Sequence, residues 1–289
     1  MKQSDDIVIK KKNINDMRDE FLIPNVQKEG WCNTRIEYDY LEYLGSTAYI
    51  LFKNNLPIGQ LITTTFDSVV SFSFFIMIEE ERGKGNGNKL LDFCYQENRN
   101  NRLIGTILPE LSVHLCRKYN LFKIQEVNRF VMKYNSKTTK TMKTEHINQL
   151  SFTPENFLKM KNFFYENYGY DRSKSVEYLL KNSIFLEYRR DDIEGMLSAL
   201  RYENTYKVMT FIAYSKEVAF ALFSELLNNL FDGEYTILLY SPSPNDKEMN
   251  ELINNYCISM KTNEYILSIL DSEKTTSYNK FYGLSLDTI

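Results

Sequence analysis

Histidine, cysteine and tryptophan are scarce in this 289-residue sequence, with His 2, Cys 4 and Trp 1. Cys32, Cys94, Cys116 and Cys257 are scattered, form no C-x-x-C pair, and have only His114 and His146 for company. Zinc sites and disulfide frameworks need such ligands at fixed spacing, so no metal is expected and the four thiols read as reduced. Long hydrophobic runs are missing too. The apolar stretch 72–78 falls far short of the roughly 20 residues that span a bilayer, which argues against a membrane partner. The chain runs from Met1 straight into strand-like Ile7-Val8-Ile9, without the apolar core and cleavage site of a signal peptide, so the expected address is cytoplasmic. Neither sign of charge dominates. Lys+Arg 35 against Asp+Glu 38 leaves a net charge of -3, which gives no broad attraction to phosphate backbones, and nucleic acid is not an expected partner.

What remains is an ordinary globular mixture, 43% hydrophobic and 25% charged, in a chain long enough for two cores. An internal repeat supports two domains. Gly59 and Gly195, 136 residues apart, each follow a hairpin-like polar turn. The same offset lays Tyr49-Ile50 on Phe185-Leu186, Leu61 on Leu197, Phe75-Ile76 on Phe211-Ile212 and Leu90-Leu91 on Leu226-Leu227. The polar stretch from Asn135 to Lys140 reads as the linker, which gives domains 1–136 and 137–289.

Periodicity assigns the elements of each half. In the first half it predicts a strand over 6–12, helix over 14–28 broken into two at Pro24, a three-stranded meander over 46–53, 58–66 and 69–78, and a helix over 88–100. A strand over 103–108, a helix over 109–119 and two strands within 122–134 complete it. The second half repeats this order. It has a strand near 140–148, helices over 154–168 and 175–181, strands within 184–214, a helix over 216–230 and a strand over 235–240. A helix over 246–256 and closing strands to 270 follow. The expected fold class is α/β, an α+β arrangement on a mixed sheet, duplicated in tandem.

Glycine is sparse as well. Gly 11 is below the usual share of roughly 7%, yet three glycines fall within residues 83–87 of the run Arg82-Gly83-Lys84-Gly85-Asn86-Gly87-Asn88. Glycine permits positive φ and close approach of backbone to a ligand, so successive N–H groups can converge. At a helix N-terminus such a cup gathers unpaired donors and the positive end of the dipole, which suits a diphosphate. Arg82 and Lys84 add charge beside it. A P-loop would need Gly-Lys-Ser/Thr where Asn88-Lys89-Leu90 stands. A dinucleotide fingerprint would need a third glycine at Asn88 and a preceding βαβ unit.

The segment from Phe75 to Gly87 resembles motif A of the GNAT superfamily of acyl-CoA N-acyltransferases, whose pattern is Arg/Gln-x-x-Gly-x-Gly/Ala; Arg82, Gly85 and Gly87 fill it. Glu29-Gly30-Trp31 and the duplication are similar to a two-domain branch with a degenerate GNAT-like C-terminal half. The resemblance implies acetyl-CoA or another acyl-CoA as cofactor. It also implies that the strand edge at Ile76, Met77 and Ile78 pairs with the pantetheine arm, and that the amides of Gly83, Lys84, Gly85, Asn86, Gly87 and Asn88 hold the diphosphate beside Arg82. The implied reaction is direct attack of an amine, of a small molecule or a peptide, on the thioester, with the acceptor and the oligomeric state unspecified. Where the family's penultimate helix carries a tyrosine acid, this chain has Cys116, three residues before Tyr119. Glu37, Asp39, Glu42 and Asp67 are candidate bases, although residues of this kind are more often just solvated charges, and none takes a firm catalytic assignment. In the second half the offset puts Val218-Ala219-Phe220-Ala221-Leu222-Phe223 over residues 82–87, so the same mode of CoA binding is not expected there. The rival reading is a non-catalytic acyl-CoA-binding regulatory module.

Overall fold

The computed structural model describes residues 6–30, 35–67, 69–108, 123–135, 145–230, 233–242, 251 and 259–269. Packing groups Met1–Thr106 into one compact unit and Ile107–Ile289 into another.

In the first unit β1 (Ile7–Asn13), β2 (Thr47–Lys53), β3 (Leu56–Phe66) and β4 (Val69–Met77) form an antiparallel run. β5 (Arg102–Leu108) then joins β4 in parallel. Helices cover both faces. α1 (Ile14–Met17), a π-helical turn (Arg18–Leu22), α2 (Ile23–Lys28) and α3 (Arg35–Leu44) lay Ile14, Leu22, Val26, Tyr38 and Leu41 against Ala48, Ile50, Ile62 and Ile76. On the other face α4 (Asn86–Glu97) buries Leu90 and Cys94 completely. Burying one such leucine contributes about 1.5–3 kcal/mol.

Two expectations change here. Proline 24 does not break the helix. It sits in the first turn of α2, where its missing N–H would be unpaired anyway, and the wide turn over Arg18–Leu22 precedes it. A further helix, to which periodicity assigned no element, spans Arg35–Leu44 and carries the acidic residues 37, 39 and 42.

In the second unit β7 (Ile147–Gln149), β8 (Ser183–Arg189), β9 (Ile193–Tyr202) and β10 (Thr205–Ala213) repeat the antiparallel run, and β11 (Glu234–Pro242) joins β10 in parallel. α5 (Pro154–Tyr168), capped by the Thr153 hydroxyl, packs with α6 (Ser173–Asn182). α7 (Lys216–Asn228) buries Val218, Ala219, Leu222, Phe223 and Leu226 against Leu186, Leu197, Phe211 and Ile237. The two strands expected within 122–134 are one, β6 (Lys123–Asn135), and the closing strands are one, β12 (Ser259–Ile269). β6 is paired on both sides, by β11 over 127–135 and by β12 over 123–133, so nothing interrupts it. The packing boundary near Thr106 thus precedes the end of the first repeat, because β6 belongs to the sheet of the second unit.

The duplication is visible in the strands themselves. β2 and β4 recur as β8 and β10 with both ends displaced by 136 residues. Each copy opens its parallel pair after three positions: Val69, Val70 and Ser71 meet β5, and Thr205, Tyr206 and Lys207 meet β11. Each central strand also carries a bulge, near Phe74 and near Met209.

Candidate acyl-CoA site

β4 pairs with β3 to its last residue but with β5 only as far as Ser71, so among the described residues its β5-facing edge from 72 to 77 has no sheet partner. An unpaired edge of this kind offers main-chain donors and acceptors to an extended ligand. The bulge adds to the opening. Phe74 lies at φ 51, a left-handed conformation that a bulky residue adopts only under tertiary constraint, and its ring stacks on Tyr38 at 5.5 Å. Burial pushes the Tyr38 hydroxyl well above its ordinary value, so it stays protonated beside the bulge.

Beyond β4 the chain makes a 3₁₀ turn at Glu79–Glu81, then Gly83 and Gly85 take φ 72 and φ 80 before α4 begins. Gly85 is the N-cap and has no side chain to bond the first turn. Consequently the amides of residues 83–88 donate to no acceptor among the described residues; the first bond of the helix comes from Lys89 N to Gly85 O at 3.3 Å. A Cβ built on Gly83 or Gly85 would meet nothing within 4 Å, so these glycines are required by backbone conformation and face open space. Gly87 differs: a Cβ there would lie 3.2 Å from Phe75 and 3.3 Å from Met77, so it lets α4 approach β4 closely.

Side chains fix this loop in place of its own main chain. Arg82 Nε donates to the Met77 carbonyl at 2.9 Å, and Arg82 Nη2 pairs with Glu29 just beyond α2. Glu81 accepts from Lys53 Nζ at 3.1 Å, from Lys84 Nζ at 3.2 Å and from Asn86 Nδ2 at 3.1 Å. The Lys53 hydrogen bond, reinforced by Lys84, holds the Glu81 carboxyl below the usual carboxylate range. Glu81 and Lys53 are loop-holding residues that the motif did not reveal. Glu81 could be suspected from its place beside Arg82, but Lys53 comes from another strand and only folding brings it there.

The structure therefore gathers Ile76, Met77, Ile78 and the residues 82–88 at one end of β4. The other expected residues scatter. Asp39 is bound to Arg18 at 2.7 Å, Glu42 accepts from Asn15, Glu37 is buried on α3, and Asp67 turns the chain at the opposite end of β4. None is a free base beside the loop. Cys116, Tyr119 and Trp31 lie outside the described residues. Among the described residues no group of three His, Cys, Asp or Glu could hold a metal ion, and no helix is long and apolar enough to cross a membrane.

The second copy lacks the loop. Residues 78–85 separate β4 from α4, whereas only Tyr214 and Ser215 separate β10 from α7. The gapless offset therefore fails at this point, and α7 starts six residues sooner than α4. Ser215 caps it, its hydroxyl accepting from Val218 N at 3.3 Å.

No family model and no curated protein matches the sequence. Solved structures do match the fold. A candidate acetyltransferase from Pyrococcus horikoshii superposes with TM-score 0.72 at 16% identity, over 96% of this chain and 94% of that one. A tandem GNAT protein from the clavulanic acid biosynthesis pathway gives TM-score 0.58 at 8% identity, over 91% and 98%. A GCN5-related N-acetyltransferase from Sphaerobacter thermophilus gives 0.56 at 12%, over 91% and 94%. The chain has the GNAT acetyltransferase fold, built as two tandem copies on a mixed α/β plan.

Proposed function

We propose that the first copy is an N-acyltransferase that moves an acetyl or other short acyl group from acyl-CoA to an amine by direct nucleophilic attack. The observation that carries this reading is the run of amides 83–88 at the head of α4, which have no acceptor among the described residues and stand next to the open edge of β4. The donor set fits the cofactor chemically, because a diphosphate needs several convergent N–H groups and a long amide-bearing arm needs a strand edge. Gly83–Asn88 would hold the diphosphate, and the edge at Ile76, Met77 and Ile78 the arm. Bound acyl-CoA would supply the thioester carbonyl that an amine attacks.

The chain's own contribution is mainly placement. A strand amide of β4 can donate to the carbonyl oxygen as charge develops there, and holding both reactants in a cleft removes much of the entropic barrier. The acceptor is an amine of a small molecule or a peptide. The acid is assigned to the thiol of Cys116, in the position of the family tyrosine.

Thermal unfolding with and without acetyl-CoA, followed by an assay of CoA release against an amine panel, tests the proposal. Ligand at about 100 times its Kd should add roughly 2.7 kcal/mol to stability, and Gly85→Val should abolish the effect. Stabilisation without turnover on any amine would favour the non-catalytic acyl-CoA-binding module. No stabilisation at all would remove the cofactor reading.

A further inference from the structure

Both cations of the loop are already engaged by carboxylates, but the two carboxylates differ. Glu81 is fixed by Lys53, Lys84 and Asn86 together, and its side chain is 11% exposed. Glu29 reaches across from the end of α2, its side chain is 28% exposed, and among the described residues Arg82 is its one side-chain partner. Arg82 has a second anchor in the Met77 carbonyl, so it keeps its place when Glu29 is absent. Glu81 is therefore part of the frame, whereas Glu29 is a detachable counter-ion on the guanidinium closest in sequence to the bare amides.

We propose that Glu29 limits the affinity of the site for the diphosphate: it occupies Arg82 Nη2 when no ligand is present, and its own charge opposes an incoming anion. The role rests on the acyl-CoA reading above and adds a specificity residue to it. Physically, a ligand phosphate must displace one carboxylate from Arg82 before it gains that contact, so part of its binding energy is offset. The consequence for turnover is faster release of the CoA product, since Glu29 returns to Arg82 as the diphosphate leaves.

Removing the charge tests this. An exposed ion pair is worth a fraction of a kilocalorie to about 1 kcal/mol, so Glu29→Gln should tighten CoA binding about two- to fivefold by titration calorimetry. Binding of pantetheine, which lacks the diphosphate, should be unchanged. The gain should shrink as salt rises from about 0.05 to about 0.5 M, and it should be smaller when Glu29→Gln is made in an Arg82→Gln background, where only the direct repulsion between Glu29 and the anion is left to remove. Thermal melting of the free variants controls for misfolding. An unchanged or weaker CoA affinity in Glu29→Gln, or an equal gain for pantetheine, would overturn the role. Failure of the unsubstituted chain to bind CoA would instead remove the acyl-CoA reading and this role with it.

Discussion

Gly87 stands so close to Phe75 that a methyl group on it would lie 3.2 Å from the ring. The contact sets how near the head of α4 comes to β4, and thereby where the donor amides point. Gly87→Ala gains helix propensity, up to about 1 kcal/mol in a helix interior, but it forces Phe75 or the helix to give way. We expect a melting temperature within a few degrees of the parent and a several-fold weaker Kd for acetyl-CoA, measured by differential scanning fluorimetry and titration.

Gly85→Ala separates conformation from space. Nothing lies within 4 Å of the new methyl group, yet φ 80 is the left-handed region, which costs an L-residue about 1–2 kcal/mol. The variant should fold with that loss in urea denaturation, and acetyl-CoA binding should weaken at least about tenfold as the turn relaxes.

The paired glycines of the repeat should respond unequally. At Gly59 a new Cβ meets the flexible thioether of Met77 at 2.4 Å, which can swing aside. At Gly195 it meets the Ile212 carbonyl at 2.7 Å and Val218 at 2.6 Å, a main-chain atom and a packed helix. Overpacking of that kind costs typically about 1–3 kcal/mol. Chemical denaturation should find Gly195→Ala clearly destabilised and Gly59→Ala close to the parent.

Glu81 gives a pH signature. Its carboxyl is held low in the fold by Lys53 and then Lys84, so its stabilising effect is full above the ordinary carboxylate pKa and is lost as pH falls through the folded value. The stability difference between the parent and Glu81→Gln should be flat above about pH 5 and shrink as pH drops below about 4. A difference that grows on acidification would contradict the Lys53–Glu81–Lys84 arrangement.

Cys94 is buried in α4, and burial pushes its thiol far above the ordinary range. The thiolate is the reactive form. Native protein treated with iodoacetamide at about pH 8 should show the Cys94 peptide unlabelled by mass spectrometry, with full labelling only after denaturation.

Much of the fold was legible because its signals are local. The 136-residue offset tracked β2, β3 and β4 into β8, β9 and β10, and Pro154–Tyr168 was bounded as expected because Thr153 caps it and Gly169 ends it in the left-handed region. The glycine-rich turn between β4 and α4 was equally legible, since clustered glycines between a strand and a helix mark positions of positive φ. Three features were not. Arg35–Leu44 hid as a helix because its Glu, Asp and Tyr residues mask the apolar face of Tyr38, Leu41 and Leu44. The single long β6 depends on partners more than 90 residues away in sequence. The loop's ionic partners Lys53 and Glu29 are set by tertiary contact, which no spacing rule encodes.

With two residues between β10 and α7, the second copy has exchanged a glycine cap for serine and a span of bare nitrogens for packed hydrocarbon. Restoring a socket there is consequently a matter of chain length before it is one of side-chain identity. Grafting Arg82 or Lys84 onto α7 would leave an anion nothing to settle into until the turn itself is lengthened.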